Sequence, residues 1–306
     1  MKLSPWPRLA QKATGVFALL ATILLAPHAQ ATIVRFDTSM GAIDVRLYPN
    51  VTPNSVANFL NYATTDRYDD TFIHRVPQSG GSSADFVVQG GGFEMTASIF
   101  DAQGIVTDPP IADEFNFSNT RGTLSFAKNS LGATSQWFFN IGNNSGLDFQ
   151  GFTVFGRVVG DGMTVVDAIN DLDTIAAVFA EDAPGEDFDE LPVVDIDKVL
   201  AQNNVLKEDV VTINSVDELA LPVGDYNFDG VVDAADYTVW RDSLGSTTIA
   251  DADGNGDGTV DQADYDLWAN AMSAPAASSV PEPSTALLLS AGIVSAIRRR
   301  SFTERV

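Results

Sequence analysis

Residues 225–236 return 28 positions later. Asp225-x-Asn227-x-Asp229-Gly230-x-x-Asp233-x-x-Asp236 reappears as Asp253-x-Asn255-x-Asp257-Gly258-x-x-Asp261-x-x-Asp264, and Tyr237, Trp240 and Leu244 reappear as Tyr265, Trp268 and Met272. Duplication at this fidelity marks a repeated structural unit. Each loop sets oxygen-bearing side chains at positions 1, 3, 5, 9 and 12, a glycine at 6, and a main-chain carbonyl (Val231, Thr259) at 7. A hard cation such as Ca²⁺ requires that pattern of oxygens on a sharply turning loop. Four carboxylates so close together repel one another unless a cation neutralises them. The apolar residues at i, i+3 and i+7 after each loop supply a helix face that can pack. We therefore expect a small α domain over residues 224–272 holding two structural Ca²⁺ ions, against the alternative of a solvated acidic linker.

The remaining composition narrows the class. The 306 residues suit about two domains, and 45% apolar content supports a packed core. Lys+Arg 17 against Asp+Glu 41 leaves a formal charge of -24, so nucleic acid would meet like charge. The chain has no cysteine, so packing or metal must do what disulfides do elsewhere. Lys2, Arg8 and Lys12, an apolar run over 15–26 and Ala29-Gln30-Ala31 form a secretory signal pattern, which predicts an exported mature chain starting at Thr32. The far end reads 273–279 as a Pro/Ala/Ser linker. Val280-Pro281-Glu282-Pro283-Ser284-Thr285, an apolar run over 286–297 and Arg298–Arg300 follow. That run is short for a spanning helix, which needs about 20 residues.

Between these ends the signals are mostly β. Residues 32–36 and 43–47 alternate apolar with polar around a Gly41-containing turn, which predicts a hairpin. Thr52-Pro53 offers an N-cap and a first-turn proline, and Val56, Phe59, Leu60 and Ala63 follow at helical spacing. Short strand-like runs occupy 86–89, 122–127, 136–141, 153–158 and 210–214. Residues 163–169 read as a second short helix, with Val165, Ala168 and Ile169 on one side. Many short strands with two helices suggest a closed barrel with helical plugs. The acidic stretch 181–190 reads as a solvated loop insertion.

One constellation bears on chemistry. Arg75, Phe86-Val87-Val88-Gln89-Gly90-Gly91 and Ser135-Gln136-Trp137-Phe138-Phe139 combine a fixed cation, glutamines and aromatics. The chain lacks a thiol, a Ser-His-Asp order and a phosphate loop, which disfavours nucleophilic hydrolysis and nucleotide use. What is left is binding plus one strong donor. Each of these residues alone would suit an ordinary core.

Five pieces in order resemble the cyclophilins: Ile73-His74-Arg75, 86–91, Gly122-Thr123-Leu124-Ser125-Phe126-Ala127, 135–139, and Leu147-Asp148 through Val154-Phe155-Gly156-Arg157-Val158. The resemblance covers 32–217. It implies an eight-stranded antiparallel barrel with two helices and peptidyl-prolyl cis/trans isomerase activity on proline-containing polypeptides, without a catalytic cofactor. It implies catalytic roles for Arg75, Gln89, Phe86 and Phe138, and substrate contacts from His74, Val87, Ala127, Gln136, Leu147 and Phe152. Departures are Ile73 for the usual Phe, a long link before Phe86, Lys128-Asn129 where Asn-Ala is frequent, and Gly146 where Trp or Phe is common. The altered rim and Gly146 motivate a second reading, a surface protein that holds proline segments without turnover and docks through its calcium module. The paired loops, each closed by Asp, resemble a type I dockerin, with residues 218–223 as linker. In that family Asp225, Asn227, Asp229, Val231, Asp233, Asp236 and their counterparts Asp253, Asn255, Asp257, Thr259, Asp261, Asp264 hold calcium, and the partner is a cohesin. Ala234-Ala235 and Gln262-Ala263 stand where recognition positions are commonly Ser-Thr, so these residues do not support a cohesin and leave another docking partner open. Residues 280–306 resemble a PEP-CTERM sorting signal, which implies processing by an exosortase, with weak or transient membrane anchoring.

Overall fold

The computed structural model describes residues 32–77, 86–175, 188–248 and 251–273. The signal pattern at 1–31, the tail beyond 273 and the acids at 181–187 lie outside them. So does the link at 78–85. The strands are β1 (Ile33–Thr38), β2 (Gly41–Leu47), β3 (Val87–Gly90), β4 (Phe93–Glu94), β5 (Gln103–Gly104), β6 (Thr123–Asn129), β7 (Gly132–Asn140), β8 (Val154–Val158), β9 (Thr174–Ile175), β10 (Leu191–Pro192) and β11 (Ile213–Leu219). The helices are α1 (Pro53–Ala63), α2 (Gly162–Asn170), α3 (Ile196–Gln202), α4 (Ala234–Ser243) and α5 (Gln262–Ser273).

Seven strands form one antiparallel sheet in the order β11-β1-β2-β8-β6-β7-β3. The eighth place is taken by residues 71–76, which lie between its two outer edges. On one side Ile73 N–H donates to the Val211 carbonyl and Phe72 bridges Thr212. On the other, His74 N–H donates to the Gln89 carbonyl and Gln89 N–H to the Arg75 carbonyl. The sheet is thereby curled, with its edges joined through this irregular segment. Phe36, Phe59, Trp137, Phe139 and Phe155 fill the interior, and the Phe36 ring meets Trp137 edge-on at 4.9 Å. Each such side chain contributes roughly 1.5–3 kcal/mol by leaving water.

Local details depart from expectation in instructive ways. Thr52 occupies the N-cap of α1, but its side chain makes no capping bond. Glu114, from a distant loop, does that work: its carboxylate accepts from the backbone amides of Asn54 (3.1 Å) and Ser55 (2.8 Å) and from both their side chains. In α2 the buried residues are Gly162, Val166, Ile169 and Asn170; Ala168 faces water and Val165 is half-buried, so the apolar stripe is rotated from the expected one. A third helix, α3, follows the acidic stretch. With Phe188, Leu191, Val193, Val205 and Val210 it encloses a second core, against Phe72, Phe93 and Ile99. The end of the acidic stretch is therefore packed, not solvated: Phe188 is buried between Phe72 and Phe93.

The C-terminal module packs against the outer face of β2. Along β2, Ile43, Val45 and Leu47 point inward, so Arg46 points outward, yet it is only 3% exposed. Its guanidinium donates to the carbonyls of Asp253 and Asp251, the latter at 2.9 Å. Asn50 donates to the Asn255 carbonyl (2.9 Å), and Gly160 N–H to the Asp251 carboxylate (3.1 Å). Phe228 adopts φ +62, a left-handed conformation where the second repeat has Gly256 at φ +67. Packing of the half-buried ring beside Ile33, Val159, Leu219 and Leu221 offsets part of that conformational cost.

Candidate active site and calcium module

Strand β7 sorts the site. Its alternate residues Trp137 and Phe139 enter the barrel core, leaving Gln136 and Phe138 on the other face. Gln89 of β3 pairs directly with Phe138, and Arg75 bridges Gln89 from the neighbouring segment. Gly91 lets this corner close: at φ +77, a Cβ there would lie 2.4 Å from Trp137 Nε1. The register between β6 and β7 slips between Phe126 and Lys128, and both Ala127 and Lys128 reach the cleft. A two-turn 3-10 segment at Ser145–Gln150 supplies Leu147.

The result is a cleft of about 210 Å³ lined by Arg75, Phe86, Val87, Gln89, Ala127, Lys128, Phe138, Leu147 and Phe152. The Phe138 and Phe152 rings meet edge-on at 5.9 Å. Arg75 Nη1 approaches Gln89 Oε1 at 3.4 Å, and Gln89 Nε2 donates to Gln136 Oε1 at 2.9 Å. Two residues expected to touch substrate do not line the cleft. His74 is buried against Phe93, and Gln136 stands behind Gln89, linking it to His74. Burial, and then the charge of Arg75, push His74 down to about 4, so it is neutral at ordinary pH. Two residues that motif reasoning passed over belong here. Lys128 lines the cleft 5.5 Å from the Phe152 ring centre. Glu190 pairs with Arg75 Nε at 2.9 Å across 115 residues of sequence, a separation that leaves no local signal. Gly146, next to Leu147, does not itself line the cleft, and a Cβ there would meet nothing within 4 Å.

The module's two loops are near copies. Asp236 accepts from the amides of Tyr226, Asn227 and Asp233, and Asp264 from those of Asn255 and Asp261. Trp240 Nε1 donates to the Asp261 carbonyl of the other repeat, and Trp268 Nε1 returns the bond to Asp233, at 2.7 and 2.8 Å. Duplicated tryptophans thus lock each helix to the opposite loop. Among the described residues no three acid or histidine side chains converge closely enough to hold an ion unaided. The expected ligand set draws instead on Asn amides and main-chain carbonyls alongside carboxylates. Asp225 Oδ1 is buried without a hydrogen-bond partner, and burial pushes Asp253 up to about 6. A cation held in these loops would satisfy the first and favour the charged form of the second, so both fit calcium.

The chain is similar to known proteins in both of its parts. Residues 33–188 match the family model of the cyclophilin type peptidyl-prolyl cis-trans isomerases, and residues 223–273 match the dockerin type I domain. A peptidyl-prolyl cis-trans isomerase of Acinetobacter baylyi is 38% identical over 168 residues, 52% of this chain and 83% of that protein. Peptidyl-prolyl cis-trans isomerase B of Escherichia coli is 36% identical over 166 residues, 51% of this chain and 94% of its own length. A solved cyclophilin from Cryptosporidium parvum covers 63% of this chain and 99% of its own at 19% identity, with a TM-score of 0.42. The chain belongs to the cyclophilin-type peptidyl-prolyl cis/trans isomerases. It carries a C-terminal dockerin type I domain, which implies calcium binding and docking to a cohesin. Among the described residues no helix is long and apolar enough to cross a membrane.

Proposed function

We propose that this cyclophilin is exported and accelerates X-Pro isomerisation in envelope or secreted proteins, with Arg75 donating to the prolyl nitrogen. Amide rotation faces a barrier of about 18–20 kcal/mol because it breaks C–N resonance. The twisted state leaves a lone pair on the proline nitrogen. A donor aimed there stabilises the twisted state more than the planar one, which is what lowers the barrier. Arginine suits the task because it stays protonated and presents a rigid fork. The observation that carries this reading is the single cleft in which Arg75 and Gln89 face Phe86, Phe138 and Leu147. The rings would hold the pyrrolidine, Gln89 would steady the guanidinium and bond the substrate backbone, and Ala127 would shape the groove.

Two calcium ions would be held by Asp225, Asn227, Asp229, Asp233, Asp236 and the Val231 carbonyl, and by Asp253, Asn255, Asp257, Asp261, Asp264 and the Thr259 carbonyl. Their chemistry is charge neutralisation that fixes the loops. The signal pattern at 1–31 supports export, and the 280–306 segment supports sorting by an exosortase with transient anchoring. The test is a protease-coupled Ala-Pro peptide assay on residues 32–273. Arg75→Ala is expected to lose at least about 100-fold in kcat/KM, the scale of removing one transition-state donor, with an unchanged melting temperature. A wild-type chain that gives no acceleration refutes the reading. Gly146, which puts no side chain where Trp or Phe is common, favours the rival, proline-segment holding without turnover, which predicts peptide binding with none.

A further inference from the structure

We infer that Glu190 is a positioning residue for the isomerase site, clamping the catalytic guanidinium from the side opposite Gln89; this rests on the reading of Arg75 above. Three observations carry it. The Glu190 carboxylate accepts from Arg75 Nε at 2.9 Å, while Arg75 Nη1 faces Gln89 at 3.4 Å. Two edges of a planar fork are thereby engaged by groups on different elements, which sets the plane in which it meets a substrate. Glu190 is itself held. Its carbonyl accepts from Val76 N–H at 2.8 Å, one residue beyond Arg75, so backbone and side chain grip the same dipeptide. On either side, Phe188 and Leu191 are 2% and 1% exposed in the second core. The Phe188 ring lies 5.0 Å from Phe93, and Phe93 lies 4.9 Å from His74. The segment that presents Glu190 is thus anchored on the aromatic group that backs the His74–Gln136–Gln89 chain.

A surface ion pair would mean little, because exposed pairs contribute almost nothing. Here the consequence is geometric. Arg75 has a long side chain that is 40% exposed, and without Glu190 its Nε edge is free to swing. A donor that must meet a nitrogen lone pair in a narrow cone loses rate when it is misplaced by about 1 Å. The second core, which lies behind the cleft without lining it, is therefore what aims the donor.

The test combines four variants of residues 32–273: Glu190→Ala, Glu190→Gln, Arg75→Ala and the double Arg75→Ala/Glu190→Ala. Glu190→Ala is expected to lower kcat about tenfold with little change in KM, and Glu190→Gln, which keeps an acceptor, to lose less. The double variant is expected to match Arg75→Ala alone, because there is no guanidinium left to position. The Arg75 Nε–H resonance should be protected from solvent exchange in the wild type and lose that protection in Glu190→Ala, a change that general loosening of the loop does not produce while the Phe188 contacts and melting temperature hold. Full activity in Glu190→Ala, or an equal loss on the Arg75→Ala background, overturns the inference and leaves the Arg75 role standing. Full activity in Arg75→Ala overturns both.

Discussion

Replacing Arg46 with Met tests whether the calcium module is part of one structural unit with the barrel. Arg46 occupies an outward position of β2 and is buried only because the module covers it. It gives two charged hydrogen bonds, to the Asp253 and Asp251 carbonyls. Bonds of this kind contribute about 1.5–3 kcal/mol each, so the pair is worth about 3–6 kcal/mol. Burial opposes the charge, lowering the Arg46 pKa, and Nε is buried without a partner. Relief of that desolvation returns part of the loss. Arg46→Met, which keeps the aliphatic length, should therefore cost about 2–4 kcal/mol of docking free energy. In a chain ending at 223 the same position faces water, and the change should stay within about 0.5 kcal/mol. That shorter chain is a reasonable control, because the bacterial relatives match over 83% and 94% of their own lengths with 52% and 51% of this chain. Calorimetry of both chains in saturating calcium reads the difference, as a lowered module transition in the long chain only. An equal loss in both chains would show that Arg46 serves the barrel itself, and no loss in either would show that the carbonyl contacts contribute nothing.

Three further outcomes are expected. His74 is held near pKa 4 in the fold against an ordinary 6.5, so its contribution is complete above pH 6.5 and is lost as pH falls toward 4, by about 3 kcal/mol; the drop in urea midpoint between pH 7 and 4.5 should shrink in His74→Gln, and an unchanged drop contradicts this. Gly91→Ala should destabilise the barrel by about 2–3 kcal/mol, since it combines a left-handed φ with overlap on Trp137; a melting temperature equal to wild type would contradict the packing described. Chelation of calcium from residues 32–273 should remove the helical signal of the 10 residues of α4 and 12 of α5 while the barrel's β signal remains; unchanged far-ultraviolet dichroism under chelator counts against metal-dependent folding of the module.

Short-range pattern determined much of this protein. Alternation along 32–36 and 43–47 is enough for the hairpin, because a strand buries one face at period two. The 28-residue repeat is enough for a duplicated loop-helix unit, because ligand spacing is a property of the loop itself. Arg75, Gln89, Phe86 and Phe138 could be named together because each sits in one of the short motifs whose order carries the resemblance to the cyclophilins. Tertiary structure alone decided the rest. Glu114 caps α1 from 60 residues away, in place of Thr52. Glu190 reaches Arg75 across 115 residues, out of a stretch whose composition suggested only a solvated loop. His74 and Gln136 brace the cleft from behind. Arg46, polar and outward by its alternation, became an interior residue when a second domain settled over it. In each case the partner is set by chain closure, which places groups from distant segments within hydrogen-bond reach, and no local periodicity encodes that.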